Sequence, residues 1–260
     1  MHIVSTKRIE KMLLTDAVKT FGRYLILMQR VLRRPERWRM YLRRTLHEIY
    51  QLGVSSIPIV LVISLFIGAL LCIQMQTNVE SPWMPKFVTG YATREVLLLE
   101  FSSTIMCLIL AGKVGSNITS EIGAMRVTQQ IDALDMMGVN SANFLILPKI
   151  TGLVLTIPIL VIFSIAAGVG GAFLIGKLTG LMSAEELTLG LQHEFTAWFI
   201  WYSIIKSFFF AFIITSVASF YGYTVKGGSI EVGKASTNAV VSCSVLILFA
   251  DVILTNIMMQ

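Results

Sequence analysis

Long apolar runs separated by short polar stretches fill the sequence after residue 54. Each run is close to the ~20 residues that an α-helix needs to cross the hydrocarbon core of a bilayer. The pattern predicts five transmembrane helices, at residues 55–75, 96–112, 150–175, 197–221 and 238–259. Small residues at 166–172, within the third run, predict a close approach between that helix and a neighbouring one.

The first 52 residues have a different pattern, in which apolar residues recur at helical spacing among many basic ones. Residues 1–50 hold twelve Lys or Arg against four Asp or Glu. The apolar positions are Phe21, Leu25, Met28 and Leu32, then Trp38, Tyr41, Leu42 and Ile49. Basic amphipathic helices with aromatic residues lie in the membrane interface. We therefore predict an interfacial segment over 1–52, broken near Pro35, and a five-span domain over 53–260; a solvated basic arm is the alternative.

Composition supports an integral membrane protein. Of the 260 residues, 55% are hydrophobic and 14% charged, and the mean hydropathy is +0.75, whereas soluble domains are about 25% charged. The net charge of +6 is explained by the preference of basic residues for the cytoplasmic side, so nucleic acid is not predicted as a partner. The N-terminus is then cytoplasmic and the C-terminus lies on the outer side, with 113–149 and 222–237 cytoplasmic. Scattered Cys and His residues predict neither a disulfide framework nor a metal site.

The polar stretch "SEIGAMRVTQQIDALDMMGV", residues 120–139, is helical in composition but too polar to span a membrane. One apolar stripe comprises Ala124, Val127, Ile131 and Leu134, and a second comprises Ile122, Met125, Met136 and Met137. A surface helix needs one apolar face, so a single helix over 120–137 with two faces predicts contact with another protein. Gly138 suits the C-terminal cap. The alternative is an interfacial helix that packs on its own chain alone.

Three ionisable residues interrupt the predicted spans. They are Glu100 in the second run, Lys206 in the fourth and Asp251 in the fifth. A charge at the bilayer centre costs roughly 2.5–3.5 kcal/mol, and such residues usually pair or face water. We predict a cluster of the three in the outer half of the membrane, either as a structural clasp or as a polar lining near a substrate cavity. Aromatic belts are predicted at Trp198, Trp201 and Tyr202, and at Tyr221 and Tyr223.

No motif for catalysis or nucleotide binding is complete. In "GGSIEVGKAS", residues 227–236, Ala235 stands where a P-loop needs Ser or Thr to bind magnesium. No histidine lies in a predicted span, which argues against an intramembrane Ser–His protease. The chain is therefore not predicted to be an enzyme or to bind a cofactor.

Residues 97–150 resemble the signature region of MlaE-type (YrbE-type) permeases, the membrane subunits of ABC transporters that act on lipids with MCE-domain proteins. The matching elements are "AGKVGS", "SEIGAMRVTQQIDAL" and "LPK", and the length and five-span layout agree over the whole chain. Lys113 and Lys149 stand where arginine is common in the family, which weakens bidentate contacts there. The family's RELGP-like pattern is reduced to "LLEFSS", which keeps Glu100.

The resemblance implies an all-α homodimer in a bacterial inner membrane. It would move phospholipid or a related lipid and so help to maintain the lipid asymmetry of the outer membrane. A hexameric MCE protein would sit on the outer face, and a cytoplasmic ATPase subunit would bind ATP and Mg and dock on the coupling helix at 120–137. The implied ATPase contacts are Glu121, Met125, Arg126, Gln129, Gln130, Ile131, Asp132 and Leu134. A lipid cavity between the copies is assigned to Leu65, Leu70, Met75, Leu97 and Phe101. The alternatives are a secondary transporter driven by protons through Glu100 and Asp251, and a scaffold that transports nothing.

Overall fold

Five long helices form the structure, a computed structural model that describes residues 18–33, 38–79, 85–180 and 183–259. Nearly all of these described residues are helical, and none of them forms a strand. The helical runs long and apolar enough to cross a membrane are Trp38–Val79, Phe87–Val127, Ser141–Thr179, Trp198–Tyr223 and Ser229–Met259. The five predicted spans are confirmed, and each helix is longer than its apolar run because polar turns continue it at one or both ends.

The N-terminal part begins with α1 over 18–31 and α2 (Trp38–Glu48). A π-helical turn (Ile49–Gly53) and a 3₁₀ turn (Val54–Ser56) then lead without interruption into α3 (Ile57–Val79). The boundary placed after residue 52 therefore lies inside one helical run. Pro35, the predicted break, lies outside the described residues.

The second span alternates between two helical geometries. It comprises α4 (Phe87–Val96), a π-helical segment (Leu97–Ile105), α5 (Met106–Leu110), a second π-helical segment (Ala111–Gly115) and α6 (Ser116–Val127). Lys113, assigned from the sequence to a connecting segment, is thus inside the helical run. The short helix α7 (Gln130–Met136) follows α6.

The remaining helices are α8 (Ser141–Thr179), α9 (Ala184–Gln192), α10 (Trp198–Tyr223) and α11 (Ser229–Met259). We call the two ends of the bundle the α7 end and the α9 end. The sequence interpretation missed α9, although it begins with a readable capping box: Ser183 accepts from the Glu186 N–H, and Glu186 accepts from the Ser183 N–H. Backbone donation from Ser183 lowers the pKa of Glu186.

Helices α3 and α8 pack closely against each other. Ser64 donates a hydrogen bond of 2.8 Å to Ser164. A methyl group on Gly68 would collide with the carbonyl of Gly168, and one on Gly171 would collide with the carbonyl of Leu65. The predicted close approach at the small-residue patch is confirmed, because only glycine lets the two backbones come this near.

Helix α1 lies against the α7 end of α10 and has apolar residues on two sides. Leu27, Met28 and Val31 are buried against the bundle. Tyr24 donates to Ser216 over 2.9 Å, and burial raises the pKa of its phenol. The other apolar residues of this helix, such as Phe21, stay exposed beside the basic side chains. Of the four predicted apolar positions in this helix, Phe21, Leu25, Met28 and Leu32, only Met28 is buried, and the exposed remainder suits a helix that lies in the membrane interface.

Candidate functional site

The three ionisable residues predicted within the spans meet at one point. Lys206 on α10 is fully buried and forms a very short ion pair with Asp251 on α11. Its Nζ lies 3.5 Å from Oε1 of Glu100, which belongs to the π-helical segment of the second span. The predicted contact between Glu100, Lys206 and Asp251 is therefore confirmed, and we call it the outer cluster after the half of the membrane predicted for it.

Hydroxyl groups complete the outer cluster. The ammonium of Lys206 donates to the Tyr202 hydroxyl at 3.0 Å and to Thr255 Oγ1 at 3.2 Å. Thr104 donates to Asp251 over 2.9 Å. Tyr202 is buried with these partners, so its assignment to an aromatic belt is wrong. At ~1.5 Å per residue, Lys206 lies ~12 Å along α10 from Trp198 and ~26 Å from Tyr223, which places the cluster nearer the α9 end.

Glu100 is the open member of the outer cluster. Its side chain is far more exposed than those of Lys206 and Asp251. One ammonium between two carboxylates leaves a surplus negative charge. Glu100 also sits in a π-helical segment, a distortion that occurs often at functional sites. The Lys206–Asp251 pair thus has the form of a clasp between α10 and α11, while Glu100 presents a carboxylate at the edge.

The five residues assigned to a lipid cavity do not converge within one chain. Leu97 is buried and packs directly against Gly168, which contradicts its assignment as a cavity residue. Phe101 borders a pocket of about 10 Å³, enough for a water molecule and far too small for a lipid. Leu70 is exposed, while Leu65 and Met75 are half-buried on α3.

The segment expected to form a single helix over 120–137 is two helices with a sharp break. Helix α6 ends at Val127, and Gln129 adopts the left-handed conformation (φ 60°) before α7 begins. Non-glycine residues rarely adopt this conformation. Arg126 and Asp132 form an ion pair of 2.6 Å across the break. Gly138, with φ 77°, follows α7 and confirms the predicted C-terminal glycine.

The break redistributes the predicted apolar faces. Ile131 is 0% exposed and belongs to the core of this chain. Leu134 and Met125 pack against the same core, whereas Met136 is 90% exposed and Met137 is also exposed. The prediction that Ile131 faces a partner protein is therefore wrong, and the apolar surface of this segment is the methionine pair. The polar residues Gln129, Gln130 and Asp132 are exposed around it.

Glu121 turns away from this surface and joins a second lysine cluster. Its Oε2 lies 2.8 Å from Nζ of Lys149, a buried residue of α8. The same Nζ lies 2.9 Å from both carboxylate oxygens of Glu48 on α2. We call these three residues the inner junction, after the cytoplasmic side predicted for the connections at the α7 end. The sequence interpretation missed it and assigned Glu121 to a partner contact.

Known proteins resemble this chain over most of its length. The Permease MlaE family matches residues 45–257. The intermembrane phospholipid transport system permease protein MlaE of Haemophilus influenzae is 34% identical over 81% of each chain. A probable ABC transporter permease protein of Rickettsia bellii is 32% identical over 84% of each chain. The chloroplastic protein TRIGALACTOSYLDIACYLGLYCEROL 1 of Arabidopsis thaliana is 28% identical over 85% of this chain and 63% of its own. The chain therefore belongs to the MlaE permease family.

Proposed function

We propose that this chain is the permease subunit of an ABC transporter that moves phospholipid or a related lipid, with ATP hydrolysis in a separate subunit. The observation that carries the proposal is the family match over 45–257, which includes all five spans apart from their ends. The Haemophilus relative is named for phospholipid transport between membranes. The incomplete P-loop, with Ala235 in place of a hydroxyl residue, agrees with ATP and Mg binding elsewhere.

The surface around the α6–α7 break is the proposed contact with the ATPase. Met136, the last residue of α7, and Met137, which follows it, are exposed, as are Gln129, Gln130 and Asp132 of the same segment. Methionine side chains adapt to a partner's shape and are common at protein-binding surfaces. Arg126 and Asp132, paired across the break, would hold α6 and α7 in the arrangement that the ATPase engages.

The proposed assembly is a homodimer in a bacterial inner membrane, with the α7 end in the cytoplasm. This orientation puts the N-terminus inside, where its basic residues are favoured, and the C-terminus at the outer face. A hexameric MCE protein would then meet the α9 end. The lipid cavity is proposed to lie between two copies, because the predicted cavity residues border only a pocket of about 10 Å³ within one chain, and the larger pocket of about 680 Å³ lies apart from them, between α8 and α9.

The proposal is tested by purifying the tagged chain from its native membrane and identifying the proteins and lipids that accompany it. We expect an ATPase to co-purify and hydrolyse ATP, and mass spectrometry to find a bound phospholipid. A variant carrying Met136→Asp and Met137→Asp should fold normally but lose the ATPase. Leu189→Asp is the matched control, since Leu189 is an exposed apolar residue of α9 at the opposite end; it should keep the ATPase.

Two results would overturn the proposal. If a stable, folded preparation of the native chain contains no ATPase, the chain is not an ABC permease subunit. Proton-driven transport through Glu100 and Asp251 then becomes the hypothesis to test. If the double methionine variant retains full ATPase, the contact surface lies elsewhere.

A further inference from the structure

Three carboxylate oxygens surround the buried ammonium of Lys149 in the inner junction. Lys149 has three N–H donors, and three carboxylate oxygens lie within 2.9 Å of its Nζ: both oxygens of Glu48 and Oε2 of Glu121. Lys149 itself is nearly inaccessible to water. Charge-assisted bonds of this length are about twice as strong as neutral ones, so the three side chains form one firm contact.

A second contact holds α2 and α8 together beside the junction. Pro148 has no N–H, so the carbonyl of Phe144, four residues earlier, lacks its helical donor. Arg44 supplies a donor, with Nη1 at 3.4 Å from that carbonyl, and its guanidinium lies 3.6 Å from the centre of the Phe144 ring. One turn beyond, Tyr41 donates to Thr151 over 2.9 Å. Helix α2 is thus fixed along the first turns of α8.

The junction joins three spans where they emerge at the α7 end. Glu48 closes α2, which continues into the first span; Glu121 is in α6, the end of the second span; Lys149 is near the start of the third. Since α6 is a continuous helix that leads directly to the break before α7, a displacement of α7 that moves α6 also moves Glu121. Either Lys149 follows and brings α2 and α8 with it, or its bond to Glu121 breaks.

A cavity beside the junction gives these side chains room to move. It measures about 200 Å³ and is bordered by Arg44, Glu121, Met125 and Phe144 as well as by Lys149. Oε1 of Glu121 makes no bond to Lys149, and the Glu121 side chain is more exposed than Glu48. Of the two carboxylates, Glu121 is therefore the one that can swing while Glu48 stays bound.

We propose that Glu48, Glu121 and Lys149 are positioning residues that carry the ATPase-driven movement of α6 and α7 to the first and third spans. This inference rests on the proposed function, because it needs an ATPase that acts on α7. The junction makes lipid movement follow ATP hydrolysis without touching either ATP or lipid.

The test uses the native complex, purified through the tagged chain and reconstituted in phospholipid vesicles, with ATP hydrolysis and transfer of a fluorescent phospholipid measured on the same sample. For Lys149→Gln we expect ATP hydrolysis within about twofold of the native rate. The amount of lipid moved per ATP should fall by roughly fivefold or more, as expected for the loss of a typical coupling energy. Lys149→Arg should restore the ratio because it keeps the charge. Lys234→Gln, which removes an exposed ion pair with Glu231, is the control and should leave the ratio unchanged.

The outcomes separate this inference from the proposed function. A native complex that lacks ATPase or moves no lipid overturns the proposed function and the inference with it. A native complex that works, with Lys149→Gln moving as much lipid per ATP, overturns the inference alone. If Lys149→Gln does not fold, Glu121→Gln replaces it, since the Glu48–Lys149 pair remains; lipid moved per ATP should fall, and an unchanged ratio again overturns the inference.

Discussion

The outer cluster and the inner junction have the same composition, one lysine and two carboxylates, but different surroundings. A layer of hydroxyl groups surrounds the Lys206 cluster: Tyr202 and Thr255 accept from Lys206, and Thr104 donates to Asp251. Lys149 has no such layer among its described contacts, and carboxylate oxygens alone take its hydrogens. Hydroxyls let a pair lie deep in the apolar part of a span, because they satisfy the remaining donors and acceptors where water is absent.

In both clusters, one carboxylate is firmly enclosed and the other is open. Asp251 is 13% exposed and Glu100 is 45% exposed around the buried Lys206, while Glu48 is 12% and Glu121 is 36% exposed around Lys149. The enclosed member and the lysine form a fixed contact between two helices. The open member contacts the same lysine from the second span, at Glu100 and again at Glu121. The second span therefore supplies the more exposed carboxylate of both clusters.

The largest difference between the clusters should appear when each lysine loses its charge. Lys206→Met leaves the enclosed Asp251 without a cation, and breaking a buried pair in this way costs about 3–5 kcal/mol. We expect a severe loss of folded protein and a much lower unfolding temperature in detergent.

The control for this prediction removes the whole pair. Lys206→Met combined with Asp251→Asn should regain much of the stability, because no uncompensated enclosed charge remains. A single Lys206→Met variant as stable as the native chain would show that the pair is not a clasp.

A second variant tests whether the close packing of α3 against α8 stabilises the bundle independently of the two charged clusters. Gly171→Val would force a side chain into the carbonyl of Leu65, and overpacking of this kind costs about 3 kcal/mol at its upper range. Gly170→Val is the matched control, since nothing lies within 4 Å of a Cβ at Gly170. Equal unfolding temperatures for the two variants would contradict the close α3–α8 contact.

The outer cluster could be predicted from the sequence, whereas the inner junction could not. Glu100, Lys206 and Asp251 stand out because each interrupts an apolar run, where an unpaired charge is costly. Lys149 directly precedes the third apolar run, where a basic residue at a membrane boundary is common, and its partners Glu48 and Glu121 are 101 and 28 positions away. No local pattern links such distant residues, so only the packing of α2, α6 and α8 reveals the junction.

The break at Gln129 is a second feature that could not be predicted from the sequence, although here the residues concerned are close together in the chain. Apolar spacing predicted helix over 120–137, and the residues are indeed helical on both sides of Gln129. A left-handed residue is usually glycine or asparagine, so nothing in the sequence marks glutamine as the break point. Once the phase shifts there, Ile131 turns into the core and Met136 turns out, and the two faces expected of a straight helix are lost.

The inner junction should be less sensitive than the outer cluster. For Lys149→Met we expect a loss of about 2 kcal/mol in the free energy of unfolding, within the range for a buried polar group left unpaired, since the cavity of about 200 Å³ beside the junction lets water reach Glu48 and Glu121. High salt should reduce this loss, because exposed charges are screened, and should leave that of Lys206→Met unchanged. Chemical unfolding in detergent at two salt concentrations measures both effects; equal losses at the two lysines would mean that the cavity beside the inner junction does not hydrate its carboxylates.

The smallest expected effect concerns the hydroxyl layer that distinguishes the outer cluster. Thr255 accepts from Tyr202 at 2.8 Å and from Lys206 at 3.2 Å, and Thr255→Val removes both bonds while keeping the side-chain shape. Lys206 keeps its bond to Asp251, so we expect a loss of about 1 kcal/mol, the usual net value of a hydrogen bond. Thr179→Val, at an exposed threonine that bonds only its own helix among the described contacts, should change the unfolding temperature little. If Thr255→Val proves no more costly than Thr179→Val, the hydroxyls do not support the buried charges, and the two lysine clusters differ in depth alone.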